Sequence, residues 1–128
     1  MRSVFFYKIG FNIYEMQFEG SKIELHSSRD TIYEDLANNL ECETLDFQDY
    51  SDQIVMIVDE NGFFKASFPI FQIITKFGDT VELAGSIIFA KNIESEHSTD
   101  IGEISEDEIF DLRDNLSIKL LGITRGVK

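Results

Sequence analysis

Apolar and polar positions alternate over much of the chain, and most of it reads as strand. Residues 3–9 (SVFFYKI) and 11–18 (FNIYEMQF) are two strands around Gly10. In the second, Phe11, Ile13 and Glu15 share one face, while Tyr14, Met16 and Phe18 make the better core face. Residues 19–22 (EGSK) read as a turn and 23–25 (IEL) as a short strand. Residues 26–42 switch to helical spacing: Ile32, Tyr33, Leu36, Ala37 and Leu40 fall on one face, with Ser27 or Ser28 as the cap. Residues 43–50 alternate again, with Leu45 and Phe47 set against Thr44, Asp46 and Gln48.

Residues 54–58 (IVMIV) are apolar throughout, as in a strand buried on both faces. Asp59-Glu60-Asn61-Gly62 follows. Asn-Gly between apolar runs predicts a type I′ hairpin with residues 63–68 as the partner strand. A calcium loop is the competing reading of those acids. With Gly62 at the sixth position, Ile57 and Phe68 fall where the first and twelfth ligands belong, so the turn is preferred.

Pro69 to Phe77 is apolar enough for a helix or a strand, and periodicity does not separate them. Residues 81–91 (VELAGSIIFAK) predict one long strand, with Gly85 a bulge or a point of close approach. Residues 92–104 have no period and read as exposed. Ser105-Glu106-Asp107-Glu108 is a capping box, and Ile109, Leu112, Leu116 and Leu120 form a buried helical stripe with Phe110 and Arg113 beside it. The expectation is an α+β fold: a mostly antiparallel sheet of about five or six strands with two helices packed on it. It forms a single domain over 1–121 with a flexible tail at 122–128. SVFFYKI, taken as an edge strand, would allow pairing with a second copy.

Composition narrows the function more than the fold. The 128 residues carry 24 acids against 11 Lys and Arg, a net charge of −13. Such a surface repels nucleic acid and anionic lipid and favours a basic protein partner. Cys42 is the lone cysteine, and neither a signal peptide nor a membrane-length apolar run is present, which points to the cytoplasm. His26 and His97 are far apart, no CxxC or paired-His spacing exists, and no glycine-rich phosphate loop is present. Glu41 and Glu43 disfavour a reactive thiolate at Cys42. No cofactor or metal is expected, and no catalytic group is assigned.

The acids cluster. Glu94, Glu96, Asp100, Glu103, Glu106, Asp107, Glu108 and Asp111 follow one another without an intervening Lys or Arg, and are the candidate protein-binding surface. Glu41, Glu43, Asp46, Asp49, Asp52, Asp59 and Glu60 form a second set.

The order of Asp59-Glu60-x-Gly62 with Lys65, then a Gly85-centred strand, then the Ser105-to-Asp107 helix start resembles an uncharacterised family of small phage, plasmid and mobile-element proteins. The likeness spans roughly residues 12–118. Where many members carry an Asn after the proline, this chain has Gln72. The resemblance implies an accessory protein in a bacterial cytoplasm and carries no catalytic residues with it. Three functions are weighed: an acidic interaction module that inhibits a host nucleic-acid-handling or defence protein, an immunity protein or antitoxin for a basic toxin, and a small enzyme with a carboxylate site.

Overall fold

The computed structural model describes residues 2–94 and 99–126. Among them are nine strands and two helices. The order is β1 (Arg2–Asn12), β2 (Gln17–Ser27), α1 (Ile32–Asn39), β3 (Leu45–Asp49), β4 (Ile54–Asp59), a 3-10 turn (Gly62–Phe64), β5 (Ala66–Ile74), β6 (Thr80–Ala84), β7 (Ile87–Glu94), β8 (Thr99–Gly102), α2 (Glu106–Asn115) and β9 (Ser117–Arg125). The α+β expectation holds, and every strand pair is antiparallel. The strands form two sheets instead of one. The larger has the order β2-β1-β7-β4-β3, with β8 also paired to β7; the smaller has the order β6-β5-β9.

Alternation along the central strands builds the layers. Val4, Phe6, Val55, Ile57, Ile88 and Ala90 point to one face and pack under Ile32 and Leu36 of α1. Their neighbours Tyr7, Ile9, Met56, Val58, Ile87 and Phe89 point to the other, against Phe71, Ile73 and Leu83 of the small sheet and Ile109 and Leu112 of α2. A strand covered on both faces favours apolar side chains: β4 is buried at all six positions, five of them apolar, and the sixth, Asp59, is paired with Lys65.

Several local expectations give way to these layers. Gly10 does not turn the chain, because β1 continues through it to Asn12. The turn comes at 13–16, where the Asn12 carboxamide oxygen accepts from the N–H groups of Tyr14 (3.0 Å) and Glu15 (3.2 Å) and Met16 has φ 55°. Tyr14 is therefore 96% exposed at the tip and is no core residue. Residues 19–22 lie inside β2, and Gly20 makes room for Tyr7: a Cβ there would fall 1.8 Å from the tyrosine oxygen. SVFFYKI pairs with β2 along its length, with β7 at Tyr7 to Ile9, and at Phe5 hydrogen-bonds to Ile104 and Glu103, so it is not a free edge for self-pairing.

The first helix is shorter than its apolar spacing suggests. Its N-cap is Thr31, without a side-chain cap bond. Ser27 is buried at the end of β2, where its hydroxyl donates to the Asp35 carboxylate.

Asp59-Glu60-Asn61-Gly62 is not a hairpin. A type I′ turn requires its flanking strands to pair with each other, but β4 pairs with β3 and β7. Asn61 has φ −102°, and Gly62 opens a 3-10 turn that carries the chain from one sheet to the other. A Cβ on Gly62 would lie 2.6 Å from the Ala84 carbonyl oxygen, so glycine serves close approach there. Gly85 (φ 95°) is the second crossing point and divides 81–91 between β6 and β7. Residues 69–74 are strand. The span 92–104 contains the end of β7 and all of β8. α2 ends at Asn115, so Leu120 belongs to β9 opposite Phe71, and residues 122–125 are sheet instead of tail.

Candidate functional site

The local sequence starts α2 where the pattern places it. The Ser105 hydroxyl accepts from the Glu108 N–H (3.1 Å), and the Glu108 carboxylate accepts from the Ser105 N–H (2.9 Å). Glu106, Asp107 and Glu108 occupy the first turn, where the helix dipole favours negative charge. Ile109 and Leu112 are buried, which fixes the opposite face toward solvent. Phe110 stands at the centre of that outer face, 57% exposed. One turn before it come Glu106 and Asp107, and one turn after it Arg113 and Asp114.

The structure separates the predicted acids into paired and unpaired members. Asp100 contacts Arg29 (3.3 Å) and accepts from the Ile101 N–H (2.9 Å). Glu103 accepts from the Phe5 N–H (3.1 Å) and so ties the segment before α2 to β1. Glu106 pairs with Lys22. Glu108 completes the capping box and lies 3.8 Å from Lys91. Asp111 contacts Lys76 (3.2 Å) and accepts from the Asn115 amide (2.7 Å). The Asn115 hydrogen bond and then Lys76 hold the Asp111 carboxyl below its ordinary range. Asp107 has no partner among the described residues. Glu94 ends β7, and Glu96 lies outside the described residues, as does His97.

Beside the acidic first turn runs a groove of about 390 Å³, walled by Asp107, Glu108 and Asp111 on one side and by Tyr50, Asp52 and Lys76 on the other. Tyr50 is 2% exposed, with its ring edge-on to Phe89 at 5.8 Å. Its hydroxyl has no hydrogen-bond partner among the described residues, and it is not among the atoms sealed from solvent. Burial pushes the phenol pKa up. Lys76 opposes that rise and Asp111 adds to it.

The second acidic set is dispersed. Asp59 turns inward, with its side chain 5% exposed, accepting from the Asn61 N–H (2.9 Å) and pairing with Lys65. Asp49 accepts from Asn92 (3.2 Å). Cys42 lies near Asp59 and Lys65. Burial first, and then Asp59, push its thiol pKa up, which disfavours the nucleophilic thiolate. Among the described residues no group of three His, Cys, Asp or Glu side chains is arranged to hold a metal ion, and no helix is long and apolar enough to cross a membrane.

No family model, curated protein or solved structure matches the chain.

Sequence reasoning noted Phe110 only as a neighbour of the buried stripe, and it attached no role to Tyr50. For Phe110 a signal existed: it lies off the face of Ile109 and Leu112 and is bracketed by charge at helical spacing. For Tyr50 none did, since its groove exists only once α2 packs against the residues after β3.

Proposed function

We propose that the chain is a non-enzymatic interaction module that engages a basic protein through the outer face of α2. The observation that supports this is Phe110, an exposed aromatic ring among three acids, Glu106, Asp107 and Asp114, and one base, Arg113. A large apolar group within a charged rim is the usual anatomy of a contact surface. The overall charge of −13 adds long-range attraction for a basic partner. Because Glu103, Glu106, Glu108 and Asp111 are bonded within the chain, the proposal centres the contact on a patch of α2 within the acidic run. The resemblance to mobile-element proteins supports a bacterial host protein that handles nucleic acid as the partner, since such proteins carry basic surfaces for phosphate. On this reading the module inhibits its partner.

The test is capture from a bacterial lysate by three chains: the native one, one with Asp107→Asn and Asp114→Asn, and one with Asp79→Asn and Glu82→Gln. The last two lose the same charge. A basic protein held by the native chain and by the β6 control, released by salt, and lost by the α2 variant is the expected result. Equal capture by all three chains, or capture of nothing, contradicts the proposal.

A further inference from the structure

The groove beside α2 combines two features. One is the acidic wall of Asp52, Asp107 and Asp111, of which Asp52 and Asp107 have no cation against them among the described residues. The other is independent of charge. Tyr50 is buried and lines the groove, and its hydroxyl has no hydrogen-bond partner among the described residues. A polar group held this deeply by packing is already oriented, and an incoming donor spends no side-chain entropy fixing it. The floor contains Ile54 and Leu112, both buried and apolar.

We infer that this groove receives the guanidinium group of an arginine side chain on the partner protein, with Asp107 and the Tyr50 hydroxyl as its acceptors. The inference rests on the reading of α2 as a contact face and specifies one anchor of that contact. Guanidinium suits the site better than ammonium for two reasons. Its planar fork reaches a carboxylate and a second acceptor at once. It is also more weakly hydrated, so lying on an apolar floor costs it less. Lys76 lines the same groove with its charge held by Asp111 (3.2 Å), while Asp107 has no cation against it among the described residues.

The probe is N-acetyl-arginine amide, titrated at low salt into the native chain while the NMR signals of the Tyr50 ring and the 105–112 backbone are followed. Saturable shifts with a millimolar Kd are expected. The neutral citrulline analogue is expected to bind about tenfold more weakly, the effect of losing a charged hydrogen-bonded contact. Tyr50→Phe, which keeps the ring packing, should weaken binding about threefold or more. Asp107→Asn should do the same, and Glu82→Gln on β6 should do nothing.

Absence of a saturable shift overturns the inference. So does N-acetyl-lysine amide or spermidine binding as tightly as the arginine probe, which would mean an unselective cation site. A Glu82→Gln effect equal to that of Asp107→Asn overturns it as well, since it would reduce the attraction to diffuse charge. Failure here is separable from failure of the proposed function: a partner captured through Asp107 and Asp114 while the arginine probe does not bind leaves the contact face standing and removes the groove. A bound probe with no captured partner leaves the groove and removes the protein partner.

Discussion

Gly85 and Gly78 both have positive φ, 95° and 87°, yet they differ in what surrounds them. A Cβ on Gly78 meets nothing within 4 Å, whereas one on Gly85 would sit 3.0 Å from the Phe68 ring. Gly78→Ala should therefore cost about 1 kcal/mol, the backbone penalty alone, and Gly85→Ala about 2–3 kcal/mol, both read from urea denaturation midpoints. Close approach at Gly85 was legible in the sequence, because a glycine inside an apolar strand pattern has few other reasons to be there. The change of sheet at the same residue was not, since it depends on Phe68 and on the Gly85 N–H donating to the Pro69 carbonyl (3.0 Å). Cys42 shows the same division. Its acidic sequence neighbours suggested a sluggish thiol, but burial and Asp59 raise its pKa in the structure. Its alkylation by iodoacetamide should follow a pH profile with its midpoint above that of a free cysteine, the raised pKa leaving less thiolate at neutral pH. A midpoint at or below that of free cysteine would mean an activated thiol.

At the scale of elements, what is encoded locally was legible. The capping box of α2 needs only Ser105 and Glu108, four residues of chain, and it forms as the pattern requires. Ser105→Ala should cost about 1 kcal/mol in thermal or urea unfolding, with the effect confined to stability and the α2 fold retained. The all-apolar run of β4 likewise announced a strand with cover on both faces. Partner choice was not local and was misread. Asn61-Gly62 is a good hairpin sequence, but β4 has a better use for its two edges in β3 and β7, and the turn is spent on crossing between layers. Ser27 and Ser28 are good capping residues, but Ser27 is committed to the end of β2 and to Asp35. The helical stripe read through Leu120 failed for the same reason: Leu112 is core in α2, while Leu120 gains more by pairing in β9 across from Phe71.

At the scale of the molecule, the charge excess was plain from composition, yet the distribution of usable charge was not. Lys22, Lys76, Lys91 and Arg29 come from distant parts of the chain to meet Glu106, Asp111, Glu108 and Asp100, and only the assembled layers reveal it. One of these pairs, at Asp111, ties pH to stability. The Asp111 pKa is lowered in the folded chain, so its contribution is fully present above the ordinary carboxylate pKa and is lost as pH falls through the folded value. Asp111→Asn should therefore lower Tm slightly at neutral pH and leave it unchanged at the acid end, flattening part of the acid limb of a Tm-against-pH curve. The central claim, that the Phe110 face of α2 is a contact surface, is tested most directly by Phe110→Ala. The ring is mostly in solvent, so the variant should match native unfolding within about 0.5 kcal/mol. In capture against the same bacterial lysate it should lose about tenfold or more of the native yield of the basic partner, as expected for an interface anchor. A stable Phe110→Ala chain that captures the partner as well as the native one would contradict the account.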